Sequence, residues 1–188
     1  MKALLTALFI GIVVSPLAAD EPKTHPKTIL VIRHAEKPDS GPELSDEGKQ
    51  RAKALPDLFK KSASRPDPFP TPDVIFAAAN SSESKRPFET VQPLAAKLDK
   101  EIHAKIKDKD FADLAAELTK PKYDGKTVLI CWHHGKIPEL LHSLGVDPKP
   151  KKIGDDVFDR VWVVTYDEKG KAQLADKPQA LLPTDSKK

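Results

Sequence analysis

Three short apolar runs decide what this chain can fold into. Residues 29–32 (Ile-Leu-Val-Ile), 73–79 (Asp-Val-Ile-Phe-Ala-Ala-Ala) and 127–132 (Thr-Val-Leu-Ile-Cys-Trp) are rich in β-branched residues and too short for buried helices, so they read as buried strands. Each is followed by a stretch with apolar residues at helical spacing. Strand-helix repeats of this kind give a mostly parallel sheet with helices on both faces, a three-layer α/β/α fold. A final long strand is predicted over 158–166. Asp167-Glu168-Lys169-Gly170 then reads as a hairpin turn into a short edge strand at 171–175.

The helix signals fix where loops meet strands. Ser45, with Asp46 and Glu47 behind it, reads as an N-cap, and Pro56 predicts a kink or stop near Leu55. Pro66, Pro68, Pro70 and Pro72 make an extended connection. Pro87 suits the first turn of a helix carrying Val91, Leu94, Ala95 and Leu98, which puts Arg86 at a helix start just past a strand end. Phe111, Leu114, Ala115 and Leu118 mark another helix behind Asp108 and Asp110. Ile137, Leu140, Leu141 and Leu144 mark the helix behind His133-His134-Gly135.

Three strand ends therefore carry polar groups of one chemical kind: Arg33-His34, the loop to Arg86, and His133-His134. In a parallel sheet these ends share one edge, where open α/β sheets bind ligands. A guanidinium offers permanently charged, fixed donors suited to phosphate, and an imidazole beside it can act on the anion.

At 188 residues and 39% hydrophobic, the chain has material for one core, and residues 28–182 read as a single domain. The 31 Lys and Arg stand against 28 Asp and Glu and are interspersed with them, which argues against nucleic acid as a partner and makes any anion binding local. Residues 1–19 have the basic start, short apolar core and small-residue end of a secretory signal peptide. The apolar run is shorter than the ~20 residues of a membrane span, so we expect an exported, periplasmic or secreted protein with no stable span after cleavage. Residues 20–27 read as a flexible lead and 183–188 as a disordered tail. Cys131, the only cysteine, lies inside an apolar strand and reads as inert core. His133 and His134 are not expected to share a metal, because neighbours on a strand point to opposite faces.

Taken together, the motifs resemble the histidine phosphatase superfamily in its phosphoglycerate mutase-like branch. Arg33-His34-Ala35-Glu36 with Leu44-Ser45-Asp46-Glu47-Gly48 is similar to the opening motif, usually Arg-His-Gly. Ser84-Lys85-Arg86-Pro87-Phe88-Glu89-Thr90 is similar to the segment of the second arginine, and His134-Gly135 to that of the second histidine. The matches run in order over residues 28–166. The resemblance implies a phosphoglycerate mutase-like fold and a metal-independent phosphatase without a cofactor. Its substrate would be a small or sugar-linked phosphomonoester, or a phosphoramidate. His34 would form a phosphohistidine, with Arg33, Arg86 and His134 holding the phosphoryl group and His133 the alternative to His134. Ala35 stands where the family has glycine, and its methyl is expected to crowd the backbone near the phosphate. Lys37 reads as solvated, with a place in the positive pocket as the other reading. The general acid is open among Asp108, Asp110, Glu83 and Glu36. The rival reading is a catalytically inactive anion-binding module with the same fold.

Overall fold

The computed structural model describes residues 24–185. Its strands are β1 (Thr28–Arg33), β2 (Val74–Ala77), β3 (Ile102–His103), β4 (Thr127–Trp132), β5 (Arg160–Tyr166) and β6 (Ala172–Pro178). They form one sheet in the order β3-β2-β4-β1-β5-β6. The four from β3 to β1 run parallel, whereas β5 and β6 add antiparallel. The sheet is thus mostly parallel, as expected. β1 and β4 are buried at every residue, which is why their sequences are unbroken apolar runs without alternation.

Side-chain alternation splits the core into two layers. Ile29, Val31, Val128, Ile130 and Trp132 face α3 (Phe111–Glu117) and α4 (Ile137–Ser143), while Leu30, Ile32, Leu129 and Cys131 face α2 (Arg86–Leu98) and the turn around Leu55 and Leu58. Cys131 is fully buried, and burial pushes its thiol pKa up, as inert core requires. Among the described residues no helix is long and apolar enough to cross a membrane.

α1 (Asp46–Ala54) starts at Ser45, whose Oγ accepts from the Gly48 N–H at 3.1 Å, and it tightens into a 3-10 turn at Leu55–Phe59 where Pro56 removes a donor. Its first turn sits on the backbone of Glu36. Ser45 N–H donates to the Glu36 carbonyl at 3.0 Å, and a Cβ added at Gly48 would lie 2.4 Å from that oxygen.

Several expectations need correction. β6 runs to Pro178, beyond the short edge strand read from the sequence. Residues 183–185 are not a disordered tail: Asp185 folds back and forms a buried ion pair with Arg51, a partner that lies far off in sequence. The end of the expected flexible lead is also tied down, with Thr24 Oγ1 donating to the Thr119 carbonyl and His25 stacked on Tyr166. The leader at 1–19 and residues 186–188 lie outside the described residues.

Gly48→Ala tests the seat of α1. Inside a helix this change ordinarily stabilises by up to about 1 kcal/mol. Here we expect the opposite sign, a loss of about 1–3 kcal/mol in denaturant unfolding, because the methyl meets backbone that cannot yield as a side chain could.

Candidate active site

Register brings the site together. β1 pairs with β4 from Thr28↔Thr127 to Arg33↔Trp132, so His34 and His133 are the first residues past the same edge. His34 N–H continues the ladder by donating to the Trp132 carbonyl at 3.0 Å. The two imidazoles meet edge to face with centroids 5.1 Å apart.

Arg33 is 1% exposed. Its Nη1 donates to the carbonyls of Gly154 (3.2 Å), Asp155 (2.9 Å) and Val157 (2.9 Å), and its guanidinium lies 3.7 Å over the Phe158 ring. Nε and Nη2 are buried with no hydrogen-bond partner among the described residues. Buried guanidinium donors are costly to leave unpaired, so these point to an anion. Burial pulls the Arg33 pKa down to about 10, and the group stays charged at neutral pH.

His34 is 3% exposed, and its Nδ1 lies 2.7 Å from the Ala35 carbonyl. A carbonyl only accepts, so Nδ1 carries the proton and the lone pair falls on Nε2. Burial, opposed by that hydrogen bond and aided by His133, Arg33 and Arg86, holds the His34 pKa down at about 3. The ring is a neutral imidazole across the physiological range.

The loop after His34 is anchored to α2. Ala35 N–H donates to Thr90 Oγ1 at 2.9 Å, and that hydroxyl donates to the Arg86 carbonyl at 2.7 Å. Ala35 is fully buried and clusters with Leu44 and Ala52, so its methyl belongs to a small apolar patch against α1. Arg86 Nη1 donates to the Gly41 carbonyl at 2.9 Å, while Arg86 Nε and Ser84 Oγ are buried without partners among the described residues. A cavity of 390 Å³ opens beside Arg86, lined also by Lys37, Asp39 and Glu83. Lys37 is exposed, in keeping with the solvated reading, and it also borders this cavity.

The structure separates the two histidines. His134 begins a 3-10 turn, and its Nε2 lies 2.8 Å from the Asp155 carboxylate; the ring that meets His34 is that of His133. Sequence order favours His134 because it precedes Gly135, whereas strand register brings His133 to the His34 ring. Burial lowers the pKa of both rings. Among the described residues no three His, Cys, Asp or Glu side chains are grouped to hold a metal ion.

The four acid candidates separate. Glu36 is bound by Arg51, Nη2 to Oε1 at 2.6 Å, and is engaged in the scaffold. Glu83 is exposed in the cavity wall. Asp108 supports the charge of His133, and its carbonyl accepts from Trp132 Nε1 at 3.1 Å. Asp110 ends the same short turn without capping α3 through its side chain. Two contributions had no signal in the sequence reading: the segment 154–158 that grips Arg33, and Arg51, a charged residue on the buried face of α1.

No family model matches the chain, and no curated protein matches it. Solved structures do. The protein histidine phosphatase SixA complexed with tungstate is 14% identical, with a TM-score of 0.57 over 81% of this chain and 97% of that one. A mutant phosphoserine phosphatase from Entamoeba histolytica in complex with phosphoserine is 16% identical, with a TM-score of 0.58 over 82% and 98%. The alpha-ribazole phosphatase from Shigella flexneri is 15% identical, with a TM-score of 0.57 over 79% and 94%. At these identities the likeness establishes the fold, which is the phosphoglycerate mutase-like one.

His34 should keep the NMR signature of a neutral ring, with the proton on Nδ1, down to pH 5. An unfolded histidine titrates near 6.5, so between about 6.5 and 3 the unfolded state binds the extra proton and this residue's contribution to stability falls as pH falls. A His34 titration midpoint between pH 6 and 7 would contradict the burial argument.

Proposed function

We propose that the chain is a phosphatase of the histidine phosphatase superfamily, hydrolysing a phosphomonoester or phosphoramidate through a phosphohistidine on His34. The observation that carries this reading is a buried imidazole, neutral and with its lone pair on Nε2, together with two arginines that keep buried N–H groups without a partner among the described residues, Nε and Nη2 of Arg33 and Nε of Arg86. Nε2 attacks phosphorus, the bond to the leaving oxygen or nitrogen breaks, and water then cleaves the N–P bond to release phosphate. Arg33, Arg86 and His133 stabilise the charge spread over the phosphoryl oxygens. The scheme asks the two arginines to supply that charge, with His133 as a neutral hydrogen-bond donor, and draws on no metal. His134 acts from farther out, on the segment that grips Arg33, through Asp155.

The fold shared with SixA, phosphoserine phosphatase and alpha-ribazole phosphatase supports the reaction class. The cavity beside Arg86 has a polar wall and room for a small leaving group, sugars included. Glu83 in that wall and Asp108 near His133 are the carboxyls available to protonate the leaving group; Glu36, held by Arg51, is not. We also propose export. The isolated mature protein would begin at Asp20.

Purified protein should hydrolyse members of a phosphomonoester panel and, on rapid quenching with labelled substrate, yield an acid-labile phosphohistidine that His34→Ala abolishes. His133→Ala should lower kcat by about 10²–10³-fold, the scale of losing one donor to a developing charge, and His134→Ala by less than about tenfold. No turnover and no labelled histidine across the panel, with phosphate still bound, would sink the enzyme reading. Equal losses for the two histidine variants would sink the assignment to His133.

A further inference from the structure

The loop that carries His34 is held from the far end of the chain. Glu36, two residues after His34, has its carboxylate bound by Arg51, with Nε at 2.9 Å from Oε1 and 3.1 Å from Oε2, and Nη2 at 2.6 Å from Oε1. The same guanidinium binds Asp185, with Nη1 at 3.0 Å from Oδ2 and Nη2 at 2.7 Å from Oδ1. Nη1 also donates to Gln179 Oε1 at 3.3 Å. Arg51 is 3% exposed and the Asp185 side chain 2%. Asp185 is itself fixed by the N–H groups of Leu181 (2.8 Å) and Leu182 (3.2 Å).

A guanidinium in this setting needs both carboxylates. Burial works against its charge, and the bonds to Asp185 and Glu36 outweigh burial and raise its pKa. Removing one partner of such a buried group leaves a charge uncompensated, so the remaining partners shift to recover water or a new bond. The part most exposed to that shift is Glu36. On one side of it lies the α1 backbone, through the Ser45 N–H. On the other is Ala35, whose N–H is tied to Thr90 and whose carbonyl takes the His34 Nδ1 proton.

We infer that Asp185 is a positioning residue for His34: through Arg51 and Glu36 it holds the Ala35 carbonyl at the place that fixes the imidazole's orientation and tautomer. A C-terminal segment with no residue at the strand edge thereby controls the proposed nucleophile. The effect on rate rests on the phosphatase reading, whereas the effect on the ring does not.

The test uses the full chain, with Asp185→Ala, Asp185→Asn and Asp185→Glu compared with wild type well below each protein's own melting midpoint. Nitrogen-15 NMR of the His34 ring reports which nitrogen holds the proton, and steady-state hydrolysis separates kcat from KM. For Asp185→Ala we expect mixed Nδ1-H and Nε2-H signals and a kcat lowered about tenfold or more with KM within about twofold, as for a misplaced reacting group. Asp185→Glu should recover most of both. If the His34 ring in Asp185→Ala keeps the wild-type signals and kcat is unchanged, the inference is overturned, however far the melting midpoint falls. Should Asp185→Ala not fold, Asp185→Asn is judged on the same readouts. A wild type without turnover refutes the phosphatase reading, and the tautomer measurement then decides this inference by itself.

Discussion

The in-register parallel pairing of β1 with β4 is the constraint on which the rest of the site depends. Because Arg33 and Trp132 are paired, the next residue of each strand leaves the sheet at the same height and on the same face. His34 and His133 therefore meet without any loop having to be ordered for the purpose. A slip of one residue would send one of the two rings to the opposite face. What prevents the slip is the burial of both strands along their whole length, with Ile29, Val31, Val128 and Ile130 committed to one core layer and Leu30, Ile32, Leu129 and Cys131 to the other. The precision of the site is borrowed from the apolar core.

That borrowing has an electrostatic consequence. Placing the His34 imidazole at the end of a fully buried strand removes water from it, and loss of water is the largest influence holding it neutral. The same burial would destabilise Arg33 were its guanidinium not supported. Three carbonyls from 154–157 and the Phe158 face supply the support on one side, leaving Nε and Nη2 for an anion. One desolvated pocket thus keeps one group uncharged and another charged. The difference lies in what each is bonded to: His34 donates its single N–H to the Ala35 carbonyl, whereas Arg33 has donors to spare.

The sequence was informative where structure is local. The three apolar runs, the Ser45 cap, the stop at Pro56 and the helix start at Arg86-Pro87 are each set by a few neighbouring residues, and each lies where expected. Arg86 comes near enough for its charge to act on the His34 ring, because parallel strands bring their carboxyl ends together whatever their exact register. Choosing between His133 and His134 needed that register, which two apolar runs of six residues do not specify by themselves. Glu36 could not be told from an acid catalyst, because its partners Arg51 and Asp185 lie 15 and 134 residues apart from Glu36 and Arg51 respectively. The ordered tail was missed for the same reason: its polar composition reads as solvated, and only the buried Arg51 makes a carboxylate there worth ordering.

The charged residues around His34 divide into two sets that do not exchange roles. Arg33 and Arg86 each use part of the guanidinium on backbone carbonyls and keep buried N–H groups unpaired. Arg51 spends its donors on Glu36, Asp185 and Gln179, so although it is buried and charged, it has nothing left for a ligand. Unpaired donors, more than charge or burial, separate an arginine that can hold a substrate from one that holds the fold. By this criterion Glu36 belongs with Arg51, and the proposed reaction would draw its acid from a carboxyl outside the ion-pair network. Glu83, in the wall of the cavity beside Arg86, and Asp108, whose charge acts on His133, both meet that condition. In the proposed reaction a leaving group seated in that cavity would have Glu83 in its wall, which makes the choice of acid depend on how the substrate enters.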